Sequence, residues 1–190
     1  MNTQKISHHS IFNVPNLLSL LRLCMIPVIV YLYVKKQNYP AATAMLILSG
    51  LTDIADGIIA RKCNMVTDFG KAFDPVADKL TQIAVLFCLM TRFQAMRLPL
   101  LLLVIKELFT GTMSLIVIRK TGDVLPAVWH GKMTTASIYL MMILHLLWLG
   151  IPSAVSDCMI LLCTCMILLS GVLYAKQNFS ALKKRQQNRG

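Results

Sequence analysis

The sequence has few charged residues for its length, and few of those are acidic. Charged residues make up 14% of its 190 residues, and only 8 are Asp or Glu. Hydrophobic residues make up 56% and the mean hydropathy is +0.65, which lies outside the usual range of water-soluble globular proteins. The sequence also lacks a fixed-period repeat, a low-complexity segment and a paired CxxC motif, so it predicts neither a solenoid nor a cysteine-based zinc site. These absences favour a membrane-embedded chain.

Six apolar stretches approach the length of about 20 residues that a helix needs to cross a hydrocarbon core of about 30 Å. We expect them to form an all-α polytopic membrane protein with six transmembrane helices in one bundle and a single domain over residues 1–190. Residues 1–12 and 177–190 are expected to be loose cytoplasmic ends. The predicted spans are 17–34, 41–59, 76–90, 98–118, 134–149 and 154–174.

The basic residues are distributed unevenly between the loops. If the N-terminus is inside, most lysines and arginines fall on the inner side, and the outer loops hold only Lys35, Lys36, Arg92 and Arg97. The positive-inside rule then predicts that both termini are cytoplasmic. This bias accounts for the net charge of +11 without a nucleic-acid partner.

The acidic residues are concentrated in one short window on the same predicted inner side, namely Asp53, Asp56, Asp68, Asp74 and Asp78. A carboxylate inside a membrane costs about 2.5–3.5 kcal/mol even on the lower of the available scales. Asp68 is interpreted as a loop or cap residue. The other four form two pairs, spaced i, i+3 and i, i+4, and each spacing places both carboxylates on one face of a helix.

A short connection containing Gly70 allows these two helices to lie side by side, so that the four carboxylates converge. Four clustered anions repel one another unless a cation lies among them. Carboxylate oxygens suit hard cations, so we expect Mg²⁺ or Mn²⁺. Two ions about 3.5–4 Å apart would position a pyrophosphate for displacement.

The residues that follow Asp56 fit a phosphate-bearing ligand. Gly57 costs a helix about 1 kcal/mol relative to alanine, and together with Ala60 it leaves one face open to a flat or bulky ligand. Arg61 supplies a planar cation suited to phosphate oxygens. The alternative of a divalent-cation channel or transporter is less favoured, because the acids lie at the junction of two spans rather than at mid-span, and no inverted repeat is evident.

These residues resemble the signature of the CDP-alcohol phosphatidyltransferases, D-x-x-D-G-x-x-A-R, eight residues, then G-x-x-x-D-x-x-x-D. Every fixed position is present with its spacing: Asp53, Asp56, Gly57, Ala60, Arg61, Gly70, Asp74 and Asp78. The stretch NVPNLLSLLRLCMIP is similar to the start of the family's first span. DPVADKL and HGKMTT are similar to the bacterial branches that make phosphatidylglycerophosphate and cardiolipin.

The resemblance implies a six-helix membrane fold, commonly dimeric, whose polar cavity holds two metal ions and faces the cytosol of a bacterial-type plasma membrane. It implies that Asp53, Asp56, Asp74 and Asp78 are metal ligands and that Asp78 is also the general base. The cytidine diphosphate pocket would be lined by Asp53, Gly57, Ala60, Arg61 and Gly70.

The reaction implied is transfer of a phosphatidyl group from CDP-diacylglycerol to glycerol 3-phosphate, with phosphatidylglycerol as the alternative acceptor. A phosphorylated acceptor needs its own cations. Lys132 is the preferred candidate, because Gly131 is expected to leave room for an anion. Lys106 has a salt bridge or snorkelling as an equal alternative, and Arg119 a role as a positive-inside anchor. Asn16 and Arg22 recur in the family's first span, and Arg22 is a buried cation that requires an anionic partner.

Overall fold

The computed structural model describes residues 14–62, 68–121 and 129–187, and within these ranges it contains helices and no strand. The side chains of 14–16, 56, 57, 59–62, 68–75, 120–121 and 183–187 lie outside the description. The all-α prediction is therefore confirmed for the described residues. The helices are α1 (Val14–Val34), α2 (Tyr39–Lys62), α3 (Asp68–Met90), α4 (Arg97–Thr121), α5 (Trp129–Leu147) and α6 (Ser153–Gln187), with a short 3-10 helix at Gln94–Met96.

Each predicted span corresponds to one of the six helices. Among the described residues, three helical segments are long and apolar enough to cross a membrane: Leu17–Val34, Gln94–Arg119 and Ser153–Leu182. Tyr39–Ala55 is a shorter apolar segment, and α2 then continues into the acidic window. These are the helices of an integral membrane protein. Six crossings around a polar cavity remain a prediction.

The chain divides into two compact units, Met1–Val85 and Leu86–Gly190. In the first unit, α1 and α2 pack together through a short turn. Gln37 has a φ of 49°, in the left-handed region that often follows a helix end, and the Asn38 N–H donates back to the Leu32 carbonyl at 3.0 Å. Asn38 Oδ1 then accepts from the Ala41 N–H at 3.1 Å and caps α2.

In the second unit, α5 and α6 form an antiparallel hairpin joined by polar side chains. Ser156 Oγ lies 2.9 Å from His145 Nε2, and Thr134 Oγ1 donates to the Met166 carbonyl at 3.3 Å. The residue with the lower number on α5 contacts the residue with the higher number on α6, so the two helices run antiparallel. α4 packs on α6 as well.

The last helix is longer than the predicted span 154–174. It continues to Gln187, so it reaches into the segment 177–190 that is predicted to be a loose cytoplasmic end. The predicted loose segment 1–12 lies outside the described residues.

Candidate functional site

The first half of the signature lies on one uninterrupted helix. α2 continues through Lys62, so Asp53 and Asp56 are one helical turn apart, as their spacing predicts. Gly57, Ala60 and Arg61 belong to the same helix. The side chains of Asp56, Ala60 and Arg61 lie outside the described residues, and their assignment to metal and nucleotide stays a prediction.

Asp53 forms an ion pair with Arg22 of α1. Arg22 Nη1 lies 2.7 Å from Asp53 Oδ1, with the arginine side chain fully buried and the aspartate side chain 43% exposed. A buried guanidinium without a counter-charge costs far more free energy than a paired one. Asp53 therefore supplies the anion that Arg22 requires. Contact of Arg22 with a phosphate stays a prediction, as does that of Asn16, whose side chain lies outside the description.

The second half of the signature lies on α3, and here one expectation is wrong. Gly70 was expected in the connection between the two helices, but α3 begins at Asp68, so Gly70 lies in its first turn. Helical backbone is compatible with glycine wherever the flanking residues propagate the helix, although glycine lowers its stability. Asp68 was interpreted as a loop or cap residue and is the first residue of α3.

Asp78 is the described acid of the second pair, and its carboxylate is oriented by its own helix. Gln82 Nε2 donates to Asp78 Oδ2 at 2.9 Å, and Lys79 Nζ lies 3.7 Å from the same oxygen. The Asp78 side chain is 15% exposed. The neutral Gln82 amide holds the carboxylate in place and adds no charge of its own, while Lys79 is the cation nearby.

The described side chains contain no group of three or more His, Cys, Asp or Glu residues placed to hold a metal ion. Two of the four predicted ligands, Asp56 and Asp74, lie outside the described side chains. The convergence of the four carboxylates therefore stays a prediction.

The start of α5 carries the preferred acceptor residue, Lys132, which is exposed. The expected space beside Gly131 is filled, because a Cβ on Gly131 would collide with the hydroxyl of Tyr174. The expectation that Gly131 leaves room for an anion is therefore wrong. The glycine instead allows close approach of a tyrosine from α6, a contact that the spacing of α5 alone does not indicate.

Two other acceptor candidates lie on α4. Lys106 Nζ lies 2.7 Å from Glu107 Oε1, and the lysine side chain is only 9% exposed. Its ammonium also lies 5.4 Å from the centre of the Tyr174 ring. Lys106 therefore forms a salt bridge, which was predicted as one alternative to an acceptor-binding role. Arg119 is exposed near the end of α4.

Two histidines have partners that the sequence does not indicate. His145 is buried, with Nδ1 2.8 Å from the Met141 carbonyl and Nε2 2.9 Å from Ser156 Oγ. His130 Nδ1 lies 3.4 Å from Ser170 Oγ, forty residues along the chain. No signal along the sequence identifies these serines, because the pairs are brought together only by the α5–α6 hairpin.

Comparison with known proteins places this architecture in a family. The family profile described as CDP-alcohol phosphatidyltransferase matches residues 12–175. A CDP-diacylglycerol–glycerol-3-phosphate 3-phosphatidyltransferase of Rickettsia typhi is 42% identical over 97 residues, which are 50% of this chain and 54% of that protein. A protein of the same name from Bacillus subtilis is 32% identical over 190 residues, covering 90% of this chain and 98% of that protein.

A cardiolipin synthase (CMP-forming) of Rattus norvegicus is 36% identical over 102 residues, 53% of this chain and 33% of that protein. The chain spans about half the length of several of the relatives it matches, 54% for the Rickettsia proteins. The family profile nevertheless extends through most of the chain, from before α1 into α6. The chain belongs to the CDP-alcohol phosphatidyltransferase family.

Proposed function

We propose that this protein transfers the phosphatidyl group of CDP-diacylglycerol to glycerol 3-phosphate, which gives phosphatidylglycerophosphate and CMP. The observation that carries the proposal is the helical register of the signature. α2 and α3 are continuous across Asp53–Asp56 and Asp74–Asp78, so each acidic pair has one helical turn between its members. The names of the Rickettsia and Bacillus relatives support the choice of acceptor.

The donor set fits divalent metal ions, because the four signature acids provide hard carboxylate oxygens of the kind that Mg²⁺ and Mn²⁺ prefer. Asp53, Asp56, Asp74 and Asp78 would hold two such ions. When bound, the ions would neutralise the pyrophosphate of the donor and the charge on departing CMP. Arg22 beside Asp53 orients one of these carboxylates before any ion binds.

The nucleotide is proposed to lie along the second half of α2. Gly57 and Ala60 have small or absent side chains, which permits a ligand to approach the helix backbone. Arg61 would contact phosphate oxygens, and Gly70 would border the same pocket from α3. A guanidinium suits this role because its planar donors match two oxygens at once.

Asp78 is proposed as the general base. The acceptor hydroxyl gives its proton to Asp78 while its oxygen attacks the β-phosphorus of CDP-diacylglycerol. The bond between that phosphorus and the bridging oxygen breaks, and CMP leaves with that oxygen. Gln82 supports this role because its amide fixes Oδ2 at 2.9 Å, and positioning of the base is part of general-base catalysis.

The acceptor phosphate is proposed to bind Lys132 and Arg119, which are both exposed. Lys106 is a weaker candidate, since its ammonium already contacts Glu107 at 2.7 Å. A phosphate would have to compete with that carboxylate. Lys132 and Arg119 keep their charges accessible, which favours capture of a dianionic acceptor.

The protein is further proposed to cross the membrane six times as a homodimer, with both termini and the active site in the cytoplasm. The donor then keeps its acyl chains in the bilayer while its pyrophosphate lies at the interface. The three long apolar helices among the described residues support insertion in a membrane, and the uneven distribution of basic residues supports cytoplasmic termini. The six crossings and the homodimer are what the resemblance to the family implies.

Cardiolipin synthesis from phosphatidylglycerol is the second candidate, favoured by relatives of that name that cover 53% and 54% of this chain. The test offers purified protein CDP-diacylglycerol with Mg²⁺ or Mn²⁺ and either acceptor, and follows CMP release. We expect release with glycerol 3-phosphate. Release only with phosphatidylglycerol would favour the second candidate, and no release with either would overturn the transferase proposal.

A further inference from the structure

Three residues of α6, spaced one helical turn apart, hold the first turns of α5. Thr134 Oγ1 donates to the Met166 carbonyl at 3.3 Å, and Ser170 Oγ lies 3.4 Å from His130 Nδ1. One turn further, the Tyr174 ring meets the His130 ring edge-to-face, with centroids 4.8 Å apart and planes at 73°. An edge-to-face pair of this separation is an attractive contact.

The contact between Tyr174 and Gly131 is closer than any side chain at position 131 would allow. A Cβ there would collide with the Tyr174 hydroxyl and would lie 3.1 Å from Cε2 and 3.2 Å from Cζ. A collision with a ring and hydroxyl held in a packed interface is relieved only if the ring or the α5 backbone moves. The position of α5 relative to α6 is therefore sensitive to one carbon atom at this point.

Tyr174 is itself supported from α4. The Lys106 ammonium lies 5.4 Å from the centre of its ring, within the range of a cation–π contact. The lysine stem passes beside Gly171 of α6, whose Cβ position would lie 3.4 Å from Lys106 Cγ, an ordinary van der Waals distance. The same ammonium also lies 2.7 Å from Glu107 Oε1, and this salt bridge holds it in place. The ring is thus held between α4 and α5.

Lys132 follows Gly131 directly and is exposed. Its backbone position is set by the two residues before it, and both of them contact Tyr174. We propose that Tyr174 is a positioning residue that places Lys132 for the phosphorylated acceptor, through a clamp formed by Tyr174 with His130 and Gly131. This inference rests on the proposed function, since it assigns Lys132 to the acceptor.

The test is a double-mutant cycle of Gly131→Ala and Tyr174→Phe, with KM measured separately for glycerol 3-phosphate and CDP-diacylglycerol. Gly131→Ala should raise KM for glycerol 3-phosphate by about tenfold or more, because a displaced Lys132 would lose a hydrogen bond to a charged group, which contributes about 1.5–3 kcal/mol. KM for CDP-diacylglycerol should stay unchanged. Tyr174→Phe keeps the ring and should resemble the wild type.

The double variant tests whether the clash with the Tyr174 hydroxyl causes the loss of acceptor affinity. Removal of the hydroxyl removes the closest clash with the added methyl group, so Gly131→Ala with Tyr174→Phe should recover most of the acceptor affinity. The matched control is Gly111→Ala in α4, where an added Cβ meets nothing within 4 Å, and it should behave as the wild type. If Gly131→Ala does not fold, Tyr174→Leu disrupts the clamp from α6 and should raise the same KM.

The clamp is overturned if the double variant is as impaired as Gly131→Ala, if both KM values rise together, or if Tyr174→Leu leaves the acceptor KM unchanged. Failure of the proposed function is a different result, because the wild type itself would then release no CMP with glycerol 3-phosphate. If the wild type uses phosphatidylglycerol instead, the same cycle and the same criteria apply to that acceptor. A wild type inactive with both acceptors overturns both proposals.

Discussion

The acidic window and the basic start of α5 obtain their geometry in different ways. In the window, Asp78 is held by Gln82, four residues away on the same helix. At the start of α5, His130 is held by Ser170, forty residues away, and Lys106 lies against Tyr174. The first region is organised mainly by helical periodicity, the second by the packing of three helices. A motif can therefore specify the acids closely, while the surroundings of the cations depend on the fold.

Arg22 is the exception within the acidic region. Its partner Asp53 lies on the neighbouring helix, at 2.7 Å, so tertiary structure also reaches the signature. The need for a partner is nevertheless evident from the sequence, since an arginine within an apolar stretch requires an anion. Only the identity of that anion requires the structure.

The largest expected effect is in the acidic window. Asp78→Asn keeps the size of the side chain but cannot take a proton from the acceptor, so kcat should fall by about 10²- to 10⁴-fold, the usual contribution of a general base. The measurement is CMP release at saturating donor and acceptor. Asp157→Asn, which changes an exposed acid of α6, is the control and should retain full activity. A kcat for Asp78→Asn close to that of the wild type would remove Asp78 as the base.

A smaller effect is expected at the start of α5. Lys132→Met should raise KM for glycerol 3-phosphate by about 10- to 100-fold, because a hydrogen bond to a charged group contributes about 1.5–3 kcal/mol. KM for CDP-diacylglycerol should not change, and Lys132→Arg should retain most of the affinity. Lys36→Met, at an exposed position after α1, is the matched control. Equal changes in both KM values would argue against an acceptor role for Lys132.

The smallest effect is expected at the other end of the α5–α6 hairpin. Ser156→Ala removes the 2.9 Å contact with buried His145 and should lower the free energy of unfolding by about 0.6–2 kcal/mol, the range for such bonds between membrane helices. Unfolding in detergent measures this, with Ser153→Ala, an exposed residue, as control. Kinetic constants should not change. A large loss of kcat in Ser156→Ala would instead assign a functional role to the Ser156–His145 pair.

The helices were predictable because each contains an apolar stretch, although among the described residues only three segments are long and apolar enough to cross a membrane. The six predicted spans correspond to α1–α6, and the largest discrepancy is α6, which continues to Gln187. Apolar length does not determine where that helix ends, because the Ala, Leu, Lys, Gln and Arg residues that dominate the segment after 174 are good helix formers in water as well. Gly70 was assigned to a connection for a related reason, since a glycine signals a break only when its neighbours do not propagate the helix.

The surroundings of the candidate site were less predictable. Gly131 was expected to leave space, because a missing side chain indicates room but not what fills it. Tyr174 fills that room from α6, forty-three residues later in the chain. The salt bridge of Lys106 with Glu107 was one of two interpretations, and a local i, i+1 pair of opposite charges could not by itself decide between them.

The sequence by itself determined the helical class, the family and the register of the acidic pairs, because these follow from apolar length and from spacings within one helix. Tertiary structure alone decided that Asp53 neutralises Arg22, that Ser156 and Ser170 satisfy the two histidines, and that Tyr174 occupies the space at Gly131. Each of these joins residues on different helices, and helix packing is governed by side-chain shape over the whole contact surface rather than by any local pattern.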